Sequence, residues 1–206
     1  MSDVALVVIA KAPLPGRAKT RLCPPCTPEQ AAGLAAAALS DTLRAVAAAA
    51  ARRRVVALEG DWPAPGFEVI PQAAGGLGER LGEALVAAGG PALVVGMDTP
   101  QLTPGLLASA SARLSEPGVD AVLGPALDGG YWTIGLRDPQ RAAFAGVPMS
   151  SPLTFAAQHR RLRALGLTVR QLPVLQDVDT IEDAHAVACK TPRSAFAAVL
   201  SELEGT

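Results

Sequence analysis

Short apolar runs alternate with longer segments of helical character along most of the chain. The first run, residues 4–10, is continuous and rich in β-branched side chains, which is typical of a parallel strand buried on both faces. Further strands are predicted at residues 54–58, 67–70, 92–96, 120–123, 131–136 and 167–172. Because strands that alternate with helices form mostly parallel sheets covered on both faces, the pattern predicts a three-layer α/β/α sandwich.

The segments between these strands carry the signals of helices. Thr27 is a predicted N-cap, Pro28 is a favourable first helical residue, and an alanine-rich sequence extends this helix to about Arg53. Helices are also predicted near residues 79–88, 104–114, 140–144 and 153–165, with one or two more at the C-terminus. Neither an internal repeat nor a long linker divides the sequence, so we expect residues 1–206 to form a single α/β domain.

The composition excludes several classes of protein. Half of the residues are hydrophobic, 18% are charged and the formal net charge is −1, so neither a disordered chain nor a basic surface for nucleic acid is expected. The three arginines at 52–54 stand alone and are predicted to be a solvated helix end. Cys23 and Cys26 lack the second pair that a zinc site needs. No apolar run approaches the roughly 18–20 residues of a membrane span and no signal peptide is evident, which predicts a cytoplasmic protein.

The loop that follows the first strand, residues 11–21, concentrates positive charge. It holds two of the three lysines of the chain together with two arginines. Ammonium groups, guanidinium groups and the free amides of a glycine-containing turn all bind phosphate, although the loop has neither the P-loop nor the Rossmann glycine pattern. A solvated surface loop is the alternative interpretation. Six residues are therefore candidate nucleotide contacts: Lys11, Gly16, Arg17, Lys19, Thr20 and Arg21.

Carboxylates follow two of the predicted strands. Asp98 comes directly after the fourth strand, and ligands of open α/β sheets bind beyond the carboxyl ends of the strands. Asp177 and Asp179 alternate in an extended segment after the last strand, so their side chains point the same way. Such carboxylates are suited to hold Mg²⁺ or Mn²⁺ against a diphosphate. The alternative is structural, with Asp98 in a turn and Asp179 or Thr180 at a helix N-cap.

Residues 128–132 read Asp-Gly-Gly-Tyr-Trp. Gly129 and Gly130 allow a ligand to approach the backbone, Tyr131 and Trp132 are candidates for a flat wall against a sugar or a base, and Asp128 is a candidate catalytic residue. The alternative is a hairpin turn with aromatic residues in the core, because Asp-Gly between strands favours such a turn. The two interpretations are compatible, since a hairpin can line an acceptor pocket.

A second glycine-rich segment, residues 75–78, opens a predicted helix. The backbone amides at a helix N-terminus bind anions, and a tight turn is the alternative. Gly78 and Arg80 join the candidate nucleotide contacts on this basis.

In this order, the segments resemble a bacterial family of glycosyltransferase-like proteins with the GT-A nucleotide-diphospho-sugar transferase fold, often labelled as arsenosugar-biosynthesis glycosyltransferases. The matching strings are KAPLPGRAKTRL, GGLGERL, GMDTP, GPALDGGYWTIGL and DVDT, spread over residues 5–188. The chain is similar, more distantly, to the guanylyltransferases of molybdenum-cofactor and phospholactate chemistry. It departs from the family at Gly76, where an aspartate is usual.

The resemblance implies roles for several of these residues. Lys11, Lys19 and Arg21 would contact the nucleotide phosphates. Asp98 would bind the metal ion, and Asp179, or alternatively Asp177, would supply the second carboxylate.

A metal-dependent glycosyltransferase that uses a nucleotide-diphospho-sugar is the first hypothesis, with Lys19, Asp98 and Asp128 as candidate catalytic residues. The metal ion and the basic loop would offset the charge on the departing diphosphate. A nucleotidyltransferase that releases pyrophosphate from a nucleoside triphosphate is the alternative, because a triphosphate needs more cations. A non-catalytic nucleotide-binding module is a third hypothesis. The expected partners are a nucleotide or nucleotide-sugar donor and a small-molecule acceptor.

Overall fold

A computed structural model of the protein describes residues 2–205. Within these residues the strands lie at Ala5–Lys11 (β1), Arg54–Glu59 (β2), Glu68–Pro71 (β3), Ala92–Gly96 (β4), Ala121–Pro125 (β5), Tyr131–Leu136 (β6) and Val169–Gln171 (β7). The α-helices lie at Pro28–Ala48 (α1), Leu77–Ala88 (α2), Pro104–Leu114 (α3), Thr154–Ala164 (α4), Ile181–Lys190 (α5) and Ala195–Glu204 (α6). Each strand predicted from the apolar runs is present, with ends displaced by two residues at most.

The strands form one sheet in the order β3-β2-β1-β4-β6-β5-β7. Strand β6 runs antiparallel to β4 and β5, whereas the other neighbouring pairs are parallel. This confirms the predicted mostly parallel sheet. The carboxyl ends of β1, β2 and β4 therefore meet at one edge, together with the beginning of β6.

Helices cover both faces of the sheet, which confirms the three-layer fold. Helices α1 and α3 pack on one face, where Val8, Leu39 and Leu107 belong to the same buried cluster. Helices α2 and α4 pack on the other face, where Leu85 and Leu162 are buried. A third cluster joins α1 to α5 and α6, so the C-terminal helices form an outer layer over α1.

Helix α1 corrects the expectation about membrane-length segments. It has 21 residues and a mean hydropathy that makes it long and apolar enough to cross a membrane, judged by length and composition only. Its apolar character comes from many alanines with polar residues among them, so the sequence contains no continuous strongly apolar run. In the structure 67% of its most apolar stretch is buried, between the sheet on one side and α5 and α6 on the other.

The prediction that the arginine run is a solvated helix end is wrong. Helix α1 ends at Ala48, before the arginines begin. The Arg54 guanidinium donates to the carbonyl oxygens of Val46 (3.2 Å) and Ala49 (2.6 Å) at the end of α1. Arg52 and Arg53 donate to the last carbonyls of α2. The run therefore satisfies helix C-terminal carbonyls, which lack partners within their own helices.

Candidate active site

A cleft of about 670 Å³ lies at the carboxyl edge of the sheet. The ends of β1, β2 and β4 and the beginning of β6 line it, together with loop residues after β7. Ligands of open α/β sheets bind at this edge. The cleft contains most of the predicted site residues, which come from segments far apart in the chain.

Two carboxylates that line the cleft lie close to the same lysine. Asp98 follows β4, and Asp179 lies in the extended segment that leads into α5. A backbone hydrogen bond connects the two segments, in which the Val178 amide donates to the Asp98 carbonyl oxygen at 3.2 Å. The structure thus brings together the two aspartates that the sequence predicts as metal ligands.

Lys19 lies between these carboxylates. Its Nζ is 3.0 Å from Asp98 Oδ1 and 3.5 Å from Asp179 Oδ1, and it also donates to the carbonyl oxygen of Val178. The side chain is only 8% exposed. Lys19 was predicted to contact phosphate, but in the ligand-free protein its ammonium group binds the predicted metal ligands instead.

Arg21 provides a second cation for the same carboxylates. Its Nη1 donates to Asp179 Oδ2 at 2.7 Å, while the side chain stays 69% exposed at the edge of the cleft. A smaller cavity of about 250 Å³ shares Asp98 and Asp179 with the cleft and is lined also by Lys19 and Thr20. The basic loop therefore contacts the carboxylates from its own side.

Asp177 lies deeper in the cleft than Asp179. Its Oδ1 accepts a hydrogen bond from the Thr99 hydroxyl at 2.9 Å. Burial raises the pKa of Asp177 to about 6, and the nearby carboxylates of Asp98 and Asp128 add to this effect while the Thr99 hydrogen bond opposes it. Asp177 is thus paired with a hydroxyl group and lies close to the carboxylate pair.

Glu59, which the sequence analysis missed, gathers cations at the other end of the cleft. It ends β2, and its carboxylate lies 3.0 Å from Arg80, 3.3 Å from Lys11 and 3.9 Å from Arg17. The Lys11 hydrogen bond is the main cause that lowers the pKa of Glu59, helped by the charges of Arg80 and Arg17. The sequence signal that could have identified Glu59 is an acidic residue at the carboxyl end of a predicted strand. Three cations around one carboxylate leave net positive charge here.

Arg80 is held in place by its surroundings. Its guanidinium donates to Gln72 Oε1 and to the Gly75 carbonyl oxygen, each at 3.2 Å. The Gln72 amide in turn donates to the carbonyl oxygens of Ala10 (2.6 Å) and Ala57 (3.2 Å) at the ends of β1 and β2. Arg80 is therefore oriented towards the cleft by the sheet edge itself.

The glycine predictions are only partly supported. Gly78 is buried in α2 and is not among the residues that line the cleft. A Cβ there would lie 3.0 Å from Met149 Cε, so the close packing of α2 already explains the glycine, and a direct nucleotide contact by Gly78 stays a prediction. Gly16 occupies an exposed turn with φ near +70° and does not line the cleft. At Gly76 the backbone amide donates to Glu79 at 2.7 Å, so α2 begins without the usual aspartate.

The Asp-Gly-Gly segment forms the turn between β5 and β6. Asp128 Oδ1 accepts from the Gly130 amide at 2.8 Å, which closes the turn, and Asp128 also lines the cleft. Gly129 has φ near +87°, and a Cβ there would lie 2.2 Å from the carbonyl oxygen of Pro152. The turn therefore requires glycine for its conformation and its packing, and the hairpin interpretation is confirmed.

The two aromatic residues of this segment point to opposite faces of the sheet. Tyr131 lines the cleft, its hydroxyl group contacts Gln158 at 3.3 Å, and burial raises its pKa. Trp132 is 2% exposed, and its Nε1 donates to the Pro173 carbonyl oxygen at 2.9 Å. Trp132 also borders the cleft, but little of it is exposed there, because side chains alternate along a strand and Trp132 packs into the core on the opposite face from Tyr131. Its role as a wall against a sugar or a base stays a prediction.

The carboxylates fit a metal ion that a substrate completes. Asp98 and Asp179 are 44% and 33% exposed and share one partner, and Mg²⁺ commonly takes one or two carboxylates together with water and phosphate. Among residues 2–205 no group of three His, Cys, Asp or Glu side chains forms a metal cage. The donor set thus suits a weakly held Mg²⁺ or Mn²⁺ rather than a preformed, fully protein-ligated ion.

Comparison with solved structures supports this fold. A protein from Desulfovibrio desulfuricans G20, provisionally assigned as a nucleotide-diphospho-sugar transferase, is 28% identical with a TM-score of 0.90, covering 100% of this chain and 96% of its own. CMP:2-keto-3-deoxy-manno-octonic acid synthetase in complex with CTP is 14% identical with a TM-score of 0.61, covering 93% and 99%. The manganese complex of Rv0371c from Mycobacterium tuberculosis H37Rv is 18% identical with a TM-score of 0.54, covering 91% and 98%.

These structures confirm the resemblance to proteins with the nucleotide-diphospho-sugar transferase fold. No curated protein matches the sequence. A family profile described as "Uncharacterized protein conserved in bacteria (DUF2064)" matches residues 33–151. The chain therefore belongs to this bacterial family, whose fold is that of nucleotide-dependent transferases.

Proposed function

We propose that the protein is a metal-dependent glycosyltransferase that binds a nucleotide-diphospho-sugar in the cleft and passes the sugar to a small-molecule acceptor. The observation that carries the proposal is that two charged groups lie together at the carboxyl edge of the sheet. One is the carboxylate pair of Asp98 and Asp179. The other is the cation cluster, which consists of Lys11, Arg17 and Arg80 around Glu59. The similarity to the Desulfovibrio desulfuricans protein supports a nucleotide-sugar donor.

The donor phosphates would lie between the cation cluster and the carboxylates. Lys11, Arg17 and Arg80 already share Glu59, so they are held in position before a ligand binds, and their positive charge exceeds that of one carboxylate. Preorganised cations of this kind stabilise the charge that develops on a departing diphosphate. Arg21 is exposed at the same edge and adds a guanidinium that can reach phosphate oxygens.

Asp98 and Asp179 would hold the divalent metal against the diphosphate. Bound there, the metal would supply positive charge to the leaving group. The manganese complex of the structural neighbour Rv0371c agrees with divalent metal use by this fold. The protein itself holds the segments of the two carboxylates together at the strand end, through the hydrogen bond from the Val178 amide to the Asp98 carbonyl oxygen.

The acceptor would enter from the side of the β5–β6 turn. Asp128 and Tyr131 line the cleft there, together with Ser150 and Ser151. Asp128 is an exposed carboxylate near Asp177, and a general base must lie within hydrogen-bond reach of the proton that it removes. We therefore assign to Asp128 the role of orienting and deprotonating the acceptor hydroxyl group.

Nucleotidyl transfer is the second candidate function. The density of cations around the cleft favours a triphosphate, and one neighbour binds CTP. In this reaction an acceptor would attack the α-phosphate and pyrophosphate would leave.

Identification of the donor separates these functions. Nucleoside triphosphates and nucleotide-diphospho-sugars, each with Mg²⁺ or Mn²⁺, are first compared by thermal shift, since a ligand that binds only the folded state raises the melting temperature. Products are then measured for each ligand that binds. Nucleoside diphosphate released from a nucleotide sugar supports glycosyl transfer, whereas pyrophosphate released from a triphosphate establishes the alternative. Tight binding without turnover indicates a binding module, and the absence of any nucleotide binding overturns all three hypotheses.

A further inference from the structure

Lys19 occupies the position that the proposed metal needs. Its ammonium group contacts Asp98 Oδ1 and Asp179 Oδ1, and it donates to the Val178 carbonyl oxygen. The contact with Val178 is a hydrogen bond, and the two carboxylate contacts are ion pairs with N–O distances of 3.0 and 3.5 Å. The side chain is 8% exposed, so water scarcely competes for it.

The same oxygens suit a divalent cation. Mg²⁺ and Mn²⁺ prefer carboxylate and carbonyl oxygen ligands. A metal ion bound to the two carboxylates would therefore lie within a few ångströms of the Lys19 ammonium group, and the two positive charges would repel each other. Because both cations are attracted to the same two carboxylates, the binding of one weakens the binding of the other.

We propose that Lys19 competes with the metal for the Asp98–Asp179 pair and keeps the free protein in a state of low metal affinity. A nucleotide diphosphate provides the alternative partner for the ammonium group, so donor binding releases the carboxylates to the metal. Only this last step rests on the proposed function. The competition itself follows from the contacts that Lys19 makes with Asp98 and Asp179.

The structure offers the lysine a place to move. Lys19 lines the smaller cavity of about 250 Å³, which also contains Arg17, Thr20 and Arg21. A lysine side chain is a flexible four-carbon stem with a compact charge, so it can leave the carboxylates while its backbone stays in place. Lys19 would then reach phosphate oxygens beside these residues, as the sequence predicts for the nucleotide-bound state.

Metal affinity tests the competition. Mn²⁺ binding to the nucleotide-free protein is measured by calorimetry and by electron paramagnetic resonance, for wild type, Lys19→Met and Lys190→Met. Lys190→Met is the matched control, because it removes the same charge from an exposed lysine that contacts Gln176. Loss of a charge-assisted contact corresponds to roughly tenfold or more in affinity, so Lys19→Met should bind Mn²⁺ at least about tenfold more tightly, and Lys190→Met should resemble wild type.

Wild-type protein provides a second measurement that requires no variant to fold. With only three lysines in the chain, a spectrum of ¹⁵N-lysine-labelled protein contains few ammonium signals. The buried ammonium group of Lys19, with its hydrogen bond and two ion pairs, should give a slowly exchanging signal, which saturating Mg²⁺ should shift or abolish. Addition of a nucleoside diphosphate with Mg²⁺ should do so at a lower metal concentration.

The outcomes separate this inference from the proposed function. Equal Mn²⁺ affinity in wild type and Lys19→Met, or a Lys19 signal unchanged when Mg²⁺ saturates, overturns the competition and leaves metal-dependent transfer untouched. If neither wild type nor Lys19→Met binds metal, even with nucleotide present, the metal-dependent function and the competition are both overturned. Tighter metal binding by Lys19→Met, with smaller enhancement by the nucleotide than in wild type, supports both.

Discussion

Glu59 shows how a single residue organises the cationic end of the cleft. Its two carboxylate oxygens are shared by Lys11, Arg17 and Arg80, which would otherwise repel one another. The acid therefore holds a surplus of positive charge in a small volume, ready for phosphate. It was not predicted from the sequence, because a glutamate at the end of a strand is a weak signal on its own and its partners come from two separate segments, the loop at residues 11–21 and α2.

Substitution of Lys11 tests the phosphate contact at this end. Lys11→Met keeps the length of the side chain and removes its charge, so nucleotide affinity should fall about ten- to a hundredfold, the equivalent of roughly 1.5–3 kcal/mol for a charge-assisted contact. Calorimetric titration measures this change, with Lys190→Met as the control for charge alone. Unchanged affinity in Lys11→Met would place the donor phosphates elsewhere in the cleft.

Asp177 should make stability depend on pH. The pKa of its carboxyl group is raised from 3.8 to about 6 in the folded protein, so the folded state retains the proton more tightly than the unfolded state does. The stability contribution of protonated Asp177 is therefore present below about pH 4 and is lost as pH rises through about 6. A difference of about two pH units corresponds to roughly 3 kcal/mol at most.

The variant Asp177→Asn isolates this effect. Asparagine keeps an oxygen that accepts the Thr99 hydrogen bond and carries no charge at any pH. In chelator, the free energy of unfolding of Asp177→Asn minus that of wild type should increase between pH 4 and pH 8 by up to about 3 kcal/mol. Urea unfolding at several pH values measures it, and a difference that does not vary with pH would contradict the buried, ionisable state of Asp177.

At the scale of elements, the N-terminus of α6 depends on one buried acid of α1. Asp41 is 7% exposed, and its carboxylate accepts from the amides of Ala195 (3.0 Å) and Phe196 (2.9 Å). These amides are among those that a helix leaves without internal partners, and a carboxylate there also favours the helix dipole. The contact fixes α6 against α1 and buries Phe196 in the cluster between them.

Asp41→Ala should therefore destabilise the protein by about 2–4 kcal/mol, because two buried amides lose a charged acceptor. Arg44→Ala is the matched control, since Arg44 contacts the same carboxylate from the surface, and exposed ion pairs contribute about 0–1 kcal/mol. Chemical unfolding of both variants checks the difference. Equal effects would mean that the amide contacts do not stabilise the docking of α6.

The elements differ in how well the sequence predicts them. The strands were predicted because continuous apolar runs such as residues 4–10 encode burial on both faces, and β6 was found although it runs antiparallel. The end of α1 was not, because alanine and arginine both favour helix, whereas in the fold Arg54 pairs with Leu6 of β1 and its guanidinium donates to the carbonyl oxygens of Val46 and Ala49. The exposure of Trp132 to the cleft was likewise not predictable, since only the register of β6 decides that Tyr131 and Trp132 pack on opposite faces of the sheet.

At the scale of the whole molecule, the surplus of positive charge and the aspartate carboxylates lie in different parts of the cleft. Lys11, Arg17 and Arg80 surround Glu59 at one end, while carboxylates lie at the centre with Lys19 and Arg21. The near-neutral chain thus has a polar cleft suited to a ligand that bears phosphates and a divalent metal. The sequence predicted these residues except Glu59, but it did not predict that Lys19 binds the carboxylates, because Lys19 and Asp179 are brought together only by the folded sheet edge.

The central claim is that Asp98 and Asp179 couple a metal ion to a nucleotide diphosphate. It is tested most directly by the affinity of the nucleoside diphosphate that gives the largest thermal shift, measured by calorimetry with Mn²⁺ and with chelator. Wild type should bind roughly tenfold or more tightly with Mn²⁺, a coupling of at least about 1.4 kcal/mol, and Asp98→Asn should lose this coupling while it remains folded. A wild-type protein that binds the nucleotide equally well in chelator, or an Asp98→Asn variant with undiminished coupling, would contradict the account.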